Sequence, residues 1–352
     1  MAADLDAHPA VVVARRLADE VLAPAAAEVD RTVVPRSHLA ALAAAGLLGV
    51  GAPADLGGGG APAPVTRRVQ EVLAGADLAT WFVQVQHHSG IALAAASPRH
   101  ADLARDLASG RRLAGIAFSH LRRWPRRPVV AEPDGDGWRL TGTAPWYTGW
   151  GLGDVAVVAG LTAGDEVVLG AVDAVAQPGL AASEPMDVVA LRAALTVTLD
   201  LDGLRLGPAE VLAVEPHAVW AARDARPTRN PVPAVFGVAE SALGLLAALG
   251  RRRDEPAAVD AAGRIGVRLA DVRAEAYHLV DDVDPDEQVD RRLAVRARAH
   301  AVMTEATTAL VVAGAGASMA ITDPAQRKAR EAMFLLVQAQ TLPSRTVALE
   351  LM

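Results

Sequence analysis

Residues 195–206 read LTVTLDLDGLRL, with Leu195, Val197, Leu199 and Leu201 alternating against Thr196, Thr198, Asp200 and Asp202. Successive side chains of a strand point to opposite faces, so strict alternation predicts a strand with one buried face. Upstream, DVAVVAGL at 154–161 and EVVLGAVDA at 166–174 predict two more strands, parted by the turn-like Thr162, Ala163, Gly164 and Asp165. Short strands set this closely imply a compact antiparallel sheet or barrel occupying the middle of the chain.

On both sides of that zone the period changes to that of a helix. Toward the N-terminus Val13, Leu17 and Val21 recur every four residues, with Pro24 just after them. A short helix is expected around His38 to Ala45, closed by Gly46. The stretch GAPADLGGGGAPAP at 51–64 is a loop, because Gly or Pro recurs at least every fourth residue, and a long helical stretch then runs to about Ser97. Toward the C-terminus Ile265, Leu269, Val272, Ala276 and Leu279 form a stripe that faces other helices. Breaks at Asp254–Pro256, Asp281–Asp286 and Asp323–Pro324 divide this region into a four-helix bundle. The fold class is therefore α+β. An N-terminal helical domain covers 1–112, a middle antiparallel β domain 113–214, and a C-terminal four-helix bundle 215–352.

With 352 residues the chain can bury a sizeable core, and at 52% hydrophobic but 3% aromatic that core is built from Ala, Val and Leu. Lys328 is the only lysine; arginine carries nearly all the positive charge, as in proteins from GC-rich genomes. A net charge of −7 speaks against nucleic acid as a main partner, since phosphate binding wants a basic surface. Without cysteine there is no disulfide, no thiolate nucleophile and no cysteine-ligated zinc, and no His/Asp/Glu spacing suggests a metal site. The opening MAADLDAHPA is acidic and polar, unlike a secretory signal. The apolar run Val232 to Gly250 contains Glu240, which is costly inside a bilayer, so a buried helix of a cytoplasmic protein is expected rather than membrane insertion.

Several segments, in order along the chain, resemble the acyl-CoA dehydrogenases. LAPAAAEVDR at 22–31 and LAALAAAGLLGVGAPADLGGGG at 39–60 resemble that family's opening helices and loop. IAFSH at 116–120 matches its Ala-x-Thr/Ser-Glu strand. DGDGWRLTGTAPWYTGWGLGDVAVVAG at 134–160 matches its turn, Trp-Ile-Thr and Ala-Asp segments, and AGAGAS with DPAQRKARE at 313–331 its glycine turn and Arg-Asp-Ala helix. The resemblance implies a flavoprotein holding FAD, or else FMN, through Phe118, Ser119, Trp146, Tyr147 and Thr148. Trp146 would lie against the isoalloxazine and Thr148 would reach its reactive edge. It also implies an acyl-CoA-like substrate, an electron acceptor still to be identified, and a homo- or heterotetramer.

The chain departs from the family where proton abstraction takes place. The usual Glu stands about nine residues after the Arg of Arg-Asp-Ala; counting from Arg330 reaches Ala339, which cannot accept a proton. An alternative base at the start of the C-terminal bundle is also missing, since ARPTRNPVPAVFG at 225–237 holds no carboxylate. Glu240, one turn on, is a weak substitute candidate. The phosphate-side Gly-Ser-Asp is replaced by LRRWPRRP at 121–128, the lysine before the tryptophan by Ala144, and the Arg-x-x-Phe-Gly clasp by RRRDEP at 251–256. The histidine of the flavin monooxygenase branch is Gln338, and His87 and His88 are further candidates for the pocket. Three functions stay open: a flavin-dependent acyl-CoA dehydrogenase-type enzyme with a displaced base, a non-catalytic subunit of a heteromeric dehydrogenase, and a flavin monooxygenase of the same fold.

Overall fold

The computed structural model describes residues 5–352. The first helical run consists of α1 (Pro9–Leu17), a π turn at Ala18–Leu22, and α2 (Ala23–Val29). It continues through Pro24: a proline lacks the N–H for an i→i−4 bond, and the wider π turn in front of it accommodates the ring. Its buried face is Val11, Ala14, Ala18, Leu22, Ala26 and Val29. The stripe expected at Val13, Leu17 and Val21 lies on the flank of that face, half-buried.

Next come α3 (Arg36–Ala44), α4 (Ala63–Ala76), α5 (Leu78–Ala95) and α6 (Ala101–Ala108). The long helical stretch of the sequence is thus two helices, divided at Asp77. The Asp77 backbone is extended, and its carboxylate accepts from Ala79 N and Thr80 N at the start of α5. A buried carboxylate at an N-cap satisfies two otherwise orphaned donors, which outweighs the cost of the break.

The middle zone is an eight-stranded sheet: β1 (Ala114–Ala117), β2 (Val129–Asp134), β3 (Gly137–Tyr147), β4 (Val155–Leu161), β5 (Glu166–Asp173), β6 (Leu180–Ala182), β7 (Val197–Leu206) and β8 (Val211–Pro216). The order is β6-β7-β3-β2-β4-β5-β8, with β1 also on β4. Most pairings are antiparallel, as the short spacing implied, but β1–β4 and β2–β4 are parallel, so the sheet is mixed. In β7 the expected alternation holds from Val197 through Leu201, but Leu195, at φ +48°, and the buried Thr196 precede the strand and break the pattern. Gly203, at φ +70°, then shifts its phase so that Leu204 and Leu206 point inward. The strands β4 and β5 are buried on both faces, one toward the sheet interior and one toward Leu121, Leu212 and Trp220.

The C-terminal helices are α7 (His217–Thr228), α8 (Pro233–Arg253), α9 (Pro256–Asp282), α10 (Val289–Gly314), α11 (Pro324–Val337) and α12 (Leu342–Glu350). All five residues of the Ile265–Leu279 stripe are buried. Two helical stretches, His217–Arg253 and Val289–Met319, are long and apolar enough to cross a membrane, but 56% of the first stretch's most apolar window is buried inside the protein. The helix α8 lies so close to α4 that a Cβ on Gly237 would stand 2.0 Å from the Glu71 carbonyl oxygen.

A buried ionic knot fastens α11 to the N-terminal helices. Lys328 Nζ donates to Gly75 O and to Glu331 Oε2, both at 2.7 Å, and Arg327 also pairs with Glu331. Arg330 pairs with Asp30 and donates to Val189 O at 3.0 Å. Isolated buried charges are prohibitive, and here each has both a counter-charge and hydrogen bonds. The knot fixes where the far end of α11, and so Ala339, comes to lie.

Candidate functional site

Strand β1 and the end of β3 lie side by side. A Cβ on Gly115 would fall 2.7 Å from the Tyr147 ring and 2.9 Å from Thr148 O, so only glycine permits that approach. The segment carrying Phe118 and Ser119 is thereby brought to the segment carrying Trp146, Tyr147 and Thr148. Trp146, the last residue but one of β3, has φ +66°, a left-handed conformation unfavourable for a bulky side chain, and the residue is 55% exposed. An exposed aromatic held on a strained backbone at a strand end is a candidate ligand contact.

The other candidates differ in what they offer. Phe118 is half-buried and edge-on to Trp220 at 6.3 Å, and Ser119 is half-buried at the start of a 3-10 turn. The Thr148 hydroxyl is buried and bonded to the Thr196 hydroxyl at 3.1 Å, while Gly149 N donates to Ala194 O. Tyr147 is fully buried in the sheet core, edge-on to Trp150, and its hydroxyl has no partner. Burial raises its pKa above the ordinary value. A side chain so placed does not reach a surface ligand; only its backbone is near the candidate surface.

The two stretches where the family's base was sought are joined by one residue the sequence analysis overlooked. Arg296, on α10, donates to Thr228 O at 3.1 Å and Asn230 O at 3.0 Å after α7, and to Gln338 O at 3.0 Å beside Ala339. It is 3% exposed and has no carboxylate partner among the described residues. Burial, together with the nearby Arg122 charge, lowers its pKa to about 10, so it stays protonated at neutral pH. One turn on, His300 is buried with Nε2 unpartnered, and the Gln338 side-chain oxygen is unpartnered too. Burial first and Arg296 second hold the His300 pKa near 3. The signal was available in the sequence: Arg292, Arg296 and His300 step by four along the buried face of α10. Ala339 itself has φ +50° and follows the end of α11.

Glu240 is taken up elsewhere. It pairs with Arg68 and Arg273, each at 2.8 Å, on the face shared by α4, α8 and α9. Burial pushes its carboxyl up, but the two guanidiniums outweigh this and hold it below its ordinary pKa, the opposite of what a general base needs. His87 is a structural link rather than a pocket residue. Its Nδ1 accepts from Ala114 N at 3.0 Å and its Nε2 faces Leu107 O at 2.9 Å, and burial lowers its pKa to about 4. His88 is bonded to Gln84, and burial lowers its pKa likewise to about 4.

The basic segment after β1 is partly neutralised. Arg122 grips Asp224 with two hydrogen bonds, and Arg127 and Trp124 Nε1 both reach Asp165. Arg253 donates to Ala313 O at 2.7 Å, tying the end of α8 to the 313–318 turn, while Arg251 and Arg252 are exposed. Among the described residues no group of three His, Cys, Asp or Glu could hold a metal.

Residues 10–99 match the family model described as acyl-CoA dehydrogenase, N-terminal domain. No curated protein matches the chain by sequence. Among solved structures, butyryl-CoA dehydrogenase from Megasphaera elsdenii superposes at TM-score 0.85 with 15% identity, covering 100% of this chain and 98% of that one. A glutaryl-CoA dehydrogenase from Mycobacterium smegmatis, in complex with FADH2, gives TM-score 0.83 with 20% identity, covering 100% and 95%. Dibenzothiophene monooxygenase from Paenibacillus sp. A11-2 gives 0.81 with 20% identity, covering 97% and 96%.

Proposed function

We propose that this chain, whose residues 10–99 match the acyl-CoA dehydrogenase N-terminal domain and whose whole length has the fold of butyryl-CoA dehydrogenase, is an FAD-binding subunit of an acyl-CoA dehydrogenase-type oxidoreductase that lacks its own proton-abstracting base. The observation that carries this reading is Arg296. The α7–α8 junction and the Ala339 turn, the two stretches where a catalytic carboxylate is expected, are bridged by a buried guanidinium. Abstraction of an α-proton needs a basic group, and Arg296, protonated at neutral pH, is not one. The displaced-base alternative fails on Glu240, whose two arginine partners make it a weaker base.

The residues at the strand ends suit a flavin ring. The exposed indole of Trp146 offers a flat apolar wall at the strand end, in the segment that also carries the Thr148 backbone. Arg251 and Arg252 are available to a diphosphate. FAD, when bound, supplies hydride acceptance; the protein positions it and tunes its electronics. Trp146 would fix the ring plane, and Arg296 would hold the Ala339 turn and the α7–α8 junction in register beside it. The chain would work in the cytoplasm, in a tetramer whose base-bearing chain acts on the acyl thioester.

Likeness to a monooxygenase favours a second reading, since oxygenation of a substrate by a reduced flavin does not require an α-proton base. Both are tested on the purified chain. Its visible spectrum should show about one FAD per chain, and that colour should survive anaerobic addition of butyryl-CoA or palmitoyl-CoA. Bleaching by either thioester with this chain alone would overturn the baseless assignment. Oxygen uptake with chemically reduced flavin and an aromatic substrate would favour the monooxygenase.

A further inference from the structure

Two leucines with left-handed backbones bracket a turn that leads into β7. Leu191 has φ +58° and Leu195 φ +48°, on either side of the 3-10 turn Arg192–Ala194. A leucine takes that conformation at a cost, so it persists only where its surroundings over-determine it. Ala190, Leu191, Ala193 and Ala194 are buried in the core of the helices, and Thr196 is buried just before β7. Residues 189–196 form a strap on which the chain after β3 hangs. The last pair between β3 and β7 is Tyr147 with Val197, beyond a register shift that takes in Trp146. From there Gly149 N donates to Ala194 O at 2.8 Å and Trp150 N to Leu195 O at 3.3 Å. The Thr148 and Thr196 hydroxyls add a bond at 3.1 Å, and on the other side Val34 N donates to Ala193 O at 3.0 Å.

The far end of this strap is held by one charged group. Arg330, on α11, donates to Val189 O at 3.0 Å and pairs with Asp30 at the end of α2, and both side chains are largely buried. A charged donor makes the stronger hydrogen bond, and the Asp30 pair fixes where that donor points. Ala190 and Leu191 close around the same small cavity as Asp30, Arg327, Arg330 and Glu331, so the strap lies against the ionic knot. Backbone strain supplies the coupling. With Val189 O released, Leu191 and Leu195 are free to fall back to ordinary backbone angles. That rotation carries Ala194 O and Leu195 O away from Gly149 and Trp150.

We propose that Arg330 is a positioning residue for the Trp146–Thr148 segment and acts on it through residues 189–196. Arg330 fixes Val189 O, and Ala194 O and Leu195 O in turn fix the residues that follow Trp146. The same helix, α11, leads into the Ala339 turn, so it sets the two segments together. The link to a cofactor rests on the reading of Trp146 and Thr148 as flavin contacts; the mechanical coupling does not.

Amide hydrogen exchange on the full chain, read by mass spectrometry, tests the coupling with no flavin present. In Arg330→Met, peptides covering 146–152 should exchange at least ~10-fold faster than in the wild type, while those covering α9 keep their rates. Arg330→Lys keeps the charge but loses the planar fork, and it should restore part of the protection. Faster exchange confined to 28–32 and 186–190 overturns the proposal. If Arg330→Met speeds exchange everywhere, Arg330→Lys decides. Faster exchange confined to 186–196 and 146–152 then supports the coupling, and wild-type rates at 146–152 or a uniform rise overturn it. The cofactor step is read separately, as the Kd for added FAD, which should rise ~10-fold in Arg330→Met. Faster exchange at 146–152 with an unchanged Kd leaves the coupling standing and overturns the flavin reading of Trp146 and Thr148. A wild-type chain that takes up no FAD overturns that reading too, and the exchange result still decides the coupling.

Discussion

Arg296 donates to the carbonyl oxygen of Gln338 across 3.0 Å, joining the middle of α10 to the residue just before Ala339. The same Nη1 group spans Thr228 O and Asn230 O, so one buried cation organises three chain segments by their carbonyls alone. Hydrogen bonds from a charged donor are stronger than neutral ones, and with no carboxylate to pair it the guanidinium depends on them.

Arg296→Met should therefore destabilise the protein by about 3–5 kcal/mol, because three carbonyls lose their donor in a buried place. Arg296→Lys should recover only part of this, since one ammonium cannot match the spread of the fork. Urea denaturation reads both. A loss below about 1 kcal/mol for the methionine variant would show that the bridge does not organise these segments.

Trp146 combines exposure with a left-handed backbone, a combination with no stability benefit. Trp146→Gly should raise stability by about 0.5–1 kcal/mol, since glycine takes positive φ without strain. It should also strip flavin from the purified protein. Full flavin content in the variant would remove Trp146 from the cofactor site.

Ala339→Glu places a carboxylate where the family resemblance sets the base, one residue from the carbonyl that Arg296 binds. Acyl-CoA-dependent bleaching of the flavin should appear. The neighbouring guanidinium should keep the new carboxylate ionised, so bleaching should persist down to about pH 5. A flavin-loaded variant that stays yellow with acyl-CoA would argue against an intact acyl-CoA pocket.

Burial holds His87 and His120 near pKa 4 and His300 near 3, below the ordinary 6.5. A depressed folded-state pKa means that the unfolded chain binds protons first. Stability from these neutral histidines is complete above about pH 6.5 and falls as pH drops toward 4. Each should lose about 2 kcal/mol of its contribution by pH 5, and His87→Gln should flatten the profile by that amount. Denaturation midpoints across pH 4–8 test this. A profile flat from pH 7 to 5 would contradict it.

The order helix–sheet–helix was legible in the sequence because its signals are local. The alternation at 197–202 and the step of four and three at 265–279 each report one buried face of one element. The strand-end candidates were legible too, through the Trp146–Thr148 segment and its resemblance to a family. Sequence also established that no carboxylate stands at Ala339 or within 225–237. Tertiary structure alone decided the rest. The division at Asp77 depends on a carboxylate buried by surrounding helices, and the phase change at Gly203 depends on its partner strand. Whether Tyr147 or Trp146 faces outward was set by the fold around Gly115. That Arg296 bridges Thr228, Asn230 and Gln338 could not be read from spacing, because its partners are backbone carbonyls 42 to 68 residues away. Every residue carries such a carbonyl, and only packing determines which of them remain without a donor.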